Sequence, residues 1–201
     1  MFKKINRIYQ LQNFKDIINL LEGLEYFPFY GTLLGLVREN NILEMDDDID
    51  ILINKKHRKK LISIIEKYQG VKLDLNSWPN NCSKHLLQAT RKVNGIDTYI
   101  DFYLYDFKSK DDFVTDKWNI EGRWEEENMH LKIPKELIFP LKKKEIKNFV
   151  TCNIPNKEVD VIKFLFGDRW MFPLIKNLDY YLTIENNKPK VVLNPDRIGI
   201  F

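Results

Sequence analysis

The sequence predicts an α+β domain, and three patterns predict it. Apolar residues recur at helical spacing over residues 5–24, with Ile5, Ile8, Leu11, Phe14, Ile17, Ile18, Leu21 and Leu24 on one stripe. Strand-like runs stand at 26–30, 48–53, 71–77, 85–93 and 98–105. Two more helical stripes, 54–68 and 156–167, separate or follow those runs. At 201 residues, 44% apolar and 13% aromatic, the chain has the length for one globular domain, 1–201, with a real core. A net charge of +3 carries no global nucleic-acid signature. Cys82 and Cys152 are too few for a disulfide framework, and His57, His85 and His130 lack zinc-site spacing. The start, Met1-Phe2-Lys3-Lys4, lacks an apolar run of signal-peptide length, and no segment is long enough to span a bilayer. A cytoplasmic protein is the expectation.

The first helix ends near Gly23. Its early lysines could touch an anionic membrane surface, but packing on a sheet is the commoner use of such a helix. Tyr26 to Tyr30 reads as a short aromatic strand, placed at an edge by Pro28. Gly31-Thr32 turns the chain into a helix, Leu33 to Arg38, whose first N–H groups and Thr32 hydroxyl form a ready anion site. The plainer reading of Gly-Thr is an ordinary N-cap. Arg38 could reach a phosphate or pair with Glu39.

Asp46-Asp47-Asp48-Ile49-Asp50-Ile51-Leu52-Ile53 comes next. Side chains alternate along a strand, so Asp48 and Asp50 share one face while Ile49, Ile51 and Ile53 share the other. Two carboxylates about 6–7 Å apart along that face can hold one divalent cation. Acidic runs are more often solvated loops, but the interleaved isoleucines argue for a strand. An EF-hand fails, because Ile51 stands where it needs glycine and His57 where it needs glutamate. The Asp-x-Asp pair of a metal-dependent glycosyltransferase is a minor alternative, because too little chain precedes it for a nucleotide-binding unit.

Asn54 caps the helix that runs to about Tyr68 on a stripe of Leu61, Ile64, Ile65 and Tyr68, and Gly70 stops it. Its first turns carry Lys55, Lys56, Arg58, Lys59 and Lys60, against the helix dipole. The run suits an acidic ligand or lipid surface, or is a solvated face. Trp78 to Asn81 is a turn, and Asn94-Gly95 a hairpin signal. In the strand 98–105, Tyr99, Asp101, Tyr103 and Tyr105 share a face. Asp101 needs a partner there: Arg91 or Lys92 across the hairpin, or a metal shared with Asp48 and Asp50. Residues 106–131, with Trp118, Arg123, Trp124 and Glu125 to Glu127, read equally as a substrate-facing insert or a packed loop. Pro155-Asn156 opens the last helix, capped by Asn156, with Val159, Ile162, Leu165 and Phe166 as its apolar face. The tail, 174–201, reads as irregular and wrapped on the body.

Three blocks in this order resemble the LicD family: Tyr30 to Arg38 closing with Asp46 to Ile51; Tyr99-Ile100-Asp101-Phe102; and Ile154-Pro155-Asn156 followed by Leu165-Phe166-Gly167-Asp168-Arg169-Trp170. Phe166 replaces the family's usual tyrosine. The resemblance covers about residues 20–173 and extends distantly to fukutin and fukutin-related protein. It implies a nucleotidyltransferase-like fold, a small mixed β-sheet flanked by helices. It also implies transfer of a phospho-alcohol (phosphocholine, phosphoglycerol or phosphoribitol) from a CDP-activated donor to a sugar hydroxyl, with CMP released. The acceptor would be a cell-surface glycan, such as lipopolysaccharide or capsule, free or lipid-linked, so that the enzyme works near the inner face of the membrane. Mg²⁺, or Mn²⁺ in its place, would be held by Asp48, Asp50 and Asp101, with Asp101 as ligand or base. Gly31, Thr32 and Arg38 would contact the donor's phosphates, and Asp46 or Asp47 would add an outer contact. The alternatives are a true nucleotidyltransferase releasing pyrophosphate and a non-catalytic glycan- or nucleotide-binding relative.

Overall fold

The computed structural model describes residues 7–44, 46, 48–68, 70–74, 84–93, 95–118, 122–123, 125–172 and 180–193. The expected turn at Trp78 to Asn81, and Asp47, Asn94 and Trp124, lie outside them. The fold is α+β, built on a five-stranded mixed sheet ordered β1-β2-β5-β4-β3. These strands are β1 (Tyr26–Pro28), β2 (Asp48–Asn54), β3 (Val71–Asp74), β4 (Leu86–Val93) and β5 (Ile96–Tyr105). β2 and β5 run parallel, and the other pairs are antiparallel. Pro28 lies on an edge strand, where its missing N–H costs no ladder bond. Val93 pairs with Ile96, so the hairpin loop is two residues long, and Gly95 takes the positive φ (+80°) that such a turn requires.

Alternation divides the core by sheet face. Ile49, Ile51 and Ile53 of β2 and Ile100, Phe102 and Leu104 of β5 pack against α1 (Arg7–Leu20) and α3 (Arg58–Lys67) through Phe14, Ile17, Leu61 and Ile65. The opposite face buries Leu52, Leu86, Tyr103 and Tyr105 with Phe27 and Phe29. It is covered by α2 (Tyr30–Arg38), β6 (Phe113–Asp116), β7 (Leu131–Pro134), α4 (Lys135–Ile138) and α5 (Glu158–Phe166), which supply Leu33, Val114, Ile133, Ile138 and Leu165. The antiparallel pair β8 (Lys142–Ile146) and β9 (Val150–Ile154) completes the first layer. Each large apolar side chain so covered contributes about 1.5–3 kcal/mol.

Several expectations need correction. The tail is not wholly irregular: β10 (Tyr180–Glu185) and β11 (Lys188–Leu193) form a hairpin, which turns through Asn186 and Asn187, both at positive φ. Asn156 does not cap α5, whose N-cap is Lys157, without a side-chain bond. Val161 is buried on that helix in place of Val159, which is 40% exposed. α2 begins at Tyr30 rather than Leu33. α1 is not simply apolar on its inner face: Gln10 and Asn13 are buried there. Asn13 donates to Thr98 Oγ1 (2.9 Å) and accepts from Arg91 (3.1 Å), and Arg91 also pairs with Asp16. By contrast, Asn54 does cap the 3₁₀ turn Lys55–His57 that leads into α3, accepting from the Lys56 N–H at 3.0 Å.

Gly35 on α2 packs against the loop that leads into β2. A Cβ there would lie 2.6 Å from the Asn41 carbonyl oxygen and 2.9 Å from the Leu43 nitrogen, both backbone atoms. Gly35→Ala is expected to lower the urea midpoint at unchanged slope, by about 1–3 kcal/mol of overpacking; an unchanged midpoint would contradict this packing.

Candidate active site

The parallel register of β2 on β5 sets Asp50 beside Asp101 and Asp48 beside Tyr99. Because Asp48 and Asp50 share a face, three carboxylates converge on one spot. One oxygen from each of Asp48, Asp50 and Asp101 lies within 4.8 Å of the others. Asp50 and Asp101 are buried and Asp48 is half-buried. Ionised carboxylates this close repel by roughly 3 kcal/mol per pair at an effective dielectric near 20. Three hard oxygen donors fit a hard divalent cation better than a soft, thiolate-seeking one.

Asp50 is held by both its side chain and its backbone. Its Oδ2 accepts from the Gly31 N–H (3.1 Å) and its Oδ1 from the Tyr103 hydroxyl (3.2 Å). Its own N–H donates to Thr32 Oγ1 (2.8 Å), and its carbonyl accepts from Phe29 N–H (3.0 Å). β1 ends at Pro28, and Phe29 and Thr32 carry its hydrogen bonding one residue further along β2. Asp101 accepts from Gln88 Nε2 on β4 at 2.8 Å. The alternative partners lie elsewhere: Arg91 pairs with Asp16 and Lys92 with Asp97.

At the glycine turn the Gly31 N–H donates to the protein's own Asp50 carboxylate. Thr32 is fully buried, and its hydroxyl oxygen accepts from the Asp50 N–H. Gly31 also gives Asp46 room, because a Cβ would stand 3.1 Å from its carboxylate. Arg38, at the far end of α2, pairs with Glu39 at 3.1 Å, and Glu39 also pairs with Arg7. Of the basic run after β2, Lys56 pairs with Glu25 (2.7 Å) and Lys55 with Asp106 (4.0 Å).

An aromatic wall stands behind Asp50, and single-residue patterns gave no signal for it. Tyr30 meets Tyr103 edge-on (5.0 Å between centroids), and Tyr103 meets Trp118 likewise (5.3 Å). The Tyr30 hydroxyl donates to Asp116, a wholly buried carboxylate on β6, at 3.0 Å. Burial holds Tyr103 well above the usual phenol range, and Asp50, Asp101 and Asp48 push it further. Burial, with Asp116 beside it, holds Tyr30 likewise well above that range, so both tyrosines stay protonated and donate. Burial also raises Asp116, from 3.8 to about 7, against the bonds from Trp118 N–H and Tyr30 that lower it. In the segment 106–131, open to two readings in the sequence, Val114, Asp116, Met129 and Leu131 are buried, while Lys108 to Lys110 and Glu125 to Asn128 are exposed.

The bonds to Asp50 set what its loss should do to the fold without metal. Asp50→Ala strands the Gly31 N–H and the Tyr103 hydroxyl and is expected to cost about 1–2 kcal/mol net. An unchanged melting temperature for Asp50→Ala in EDTA, read by thermal denaturation, would contradict those bonds.

The model of the family described as LicD/FKTN/FKRP, nucleotidyltransferase domain, matches residues 23–157, more than half of the chain. No curated protein matches the chain. The matched span contains the three carboxylates, Gly31 and Asp116, and it stops before the Leu165 to Trp170 block. The chain therefore belongs to the LicD/FKTN/FKRP family, a family of transferases that act in general on phospho-alcohols and glycans.

Proposed function

We propose that this protein transfers a phospho-alcohol from a CDP-activated donor to a sugar hydroxyl of a cell-surface glycan and releases CMP. The observation that carries the reading is the convergence of Asp48, Asp50 and Asp101 within 4.8 Å, in a chain of this family. Phosphoryl transfer asks chiefly for charge neutralisation and in-line positioning. Mg²⁺ or Mn²⁺ held by the three carboxylates would neutralise charge on the donor's diphosphate when bound. In the proposed step the acceptor oxygen bonds to the phosphorus that carries the alcohol. The bond from that phosphorus to the oxygen bridging to CMP breaks, and the hydroxyl proton passes to Asp101 or to water.

The chain's own residues supply the positioning. Gly31 N–H and the Tyr103 hydroxyl fix the Asp50 carboxylate, and Gln88 fixes Asp101. We assign a phosphate oxygen to Arg38, whose guanidinium has five N–H donors, more than its contact with Glu39 uses. A cytoplasmic location close to the membrane is part of the proposal, and the exposed Lys59 and Lys60 suit an anionic surface. No helix among the described residues is long and apolar enough to cross a membrane.

The test is a screen of CDP-choline, CDP-glycerol and CDP-ribitol with glycan acceptors in Mg²⁺, reading the released nucleotide. CMP release with at least one donor, abolished in Asp48→Asn and Asp101→Asn and in EDTA, is the expected result. Pyrophosphate from a nucleoside triphosphate would favour a true nucleotidyltransferase. Donor binding without turnover would favour a non-catalytic relative.

A further inference from the structure

Asp116 lies outside the carboxylate trio, yet Tyr30 connects it to Asp50. Its Oδ2 accepts from the Tyr30 hydroxyl (3.0 Å), and its Oδ1 accepts from Trp118 N–H (3.0 Å), which fixes the carboxylate's own orientation. Tyr30 is the first residue of α2 and has φ +41°, a left-handed conformation rare for a tyrosine. Such a residue costs on the order of 1–3 kcal/mol and persists only where its surroundings over-determine it. Its ring is held between Phe29 (4.8 Å) and Tyr103 (5.0 Å), and its hydroxyl by Asp116.

Both oxygens of Asp50 depend on where Tyr30 sits. Oδ2 is held by the N–H of the next residue, Gly31, whose direction follows from the Tyr30 backbone. Oδ1 is held by the hydroxyl of Tyr103, whose ring rests against Tyr30. β6, which carries Asp116, is tied to the end of β5 by the paired bonds of Asp106 with Thr115 (2.8 and 2.9 Å). One strand, β5, thus sets Asp101, Tyr103 and the height of Asp116.

We infer that Asp116 is a positioning residue for Asp50, acting through Tyr30 on both oxygens of the carboxylate. The inference rests on the reading of the trio as a cation site. Tyr30→Phe keeps the ring packing and removes the bond to Asp116. Asp116→Asn keeps the acceptor for Trp118 N–H and puts an amide NH₂ donor where Oδ2 accepts from the Tyr30 hydroxyl.

The experiment is calorimetric titration of the full chain with Mn²⁺ alone, with circular dichroism to show that each variant is folded. Each single variant should bind Mn²⁺ about threefold to tenfold more weakly, somewhat less than the loss of a direct outer-shell partner. The double variant should be no weaker than the poorer single one, because both act through one bond. A purely structural role would lower the melting temperature and leave the Mn²⁺ affinity alone. Affinities of folded Tyr30→Phe and Asp116→Asn within about twofold of the parent would overturn the inference while leaving the cation site standing. A parent chain that binds no Mn²⁺ would overturn the cation site, and the inference with it.

Discussion

The structure depends on one pairing, β2 parallel to β5 with Asp50 level with Asp101. Shifting that register by one residue would move every side chain of one strand to the other face. The isoleucines would then meet the aromatic layer, and the carboxylates would enter the apolar layer of α1 and α3. Burial of Ile49, Ile51, Ile100 and Phe102 therefore locks the acids into place. The energy that holds the site together comes from the apolar face of the same strands, because the acids repel one another.

Three neutral donors bond those acids. Gly31 N–H, the Tyr103 hydroxyl and the Gln88 amide each stabilise a carboxylate without removing its charge. A lysine or arginine in the same position would compete with the cation of the proposed function. These hydrogen bonds orient the oxygens of Asp50 and Asp101. The start of α2 serves the same end, since its Gly31 N–H is directed at Asp50.

The three acids were legible in the sequence because a period of two needs only the strand to be right. Asp48, Asp50 and Asp101 follow from alternation, and the apolar residues between them identify both strands. The role of Gly31-Thr32 was not legible in the same way. A glycine before a helix points to an anion, but only the fold shows that the anion is Asp50. Asp116 gave no local signal, because its meaning comes from Tyr30, far away in sequence. Gln10 and Asn13 on α1 were invisible for a related reason: helical periodicity marks a buried face, and it does not show that Asn13 finds partners in Thr98 and Arg91 there or that Gln10 donates to the Asp46 carbonyl. The hairpin of β10 and β11 was hidden because its turn is Asn-Asn rather than a glycine pair, and β11 carries Lys188, Pro189 and Lys190.

The family match spans the residues on which the geometry converges. The most direct measurement is a crystal structure grown or soaked with Mn²⁺, with diffraction collected at the manganese absorption edge. The account predicts one anomalous peak bounded by Asp48, Asp50 and Asp101, with the Gly31 and Tyr103 bonds to Asp50 retained. A peak elsewhere, or a trio that stays closed around protein side chains in saturating Mn²⁺, would contradict it.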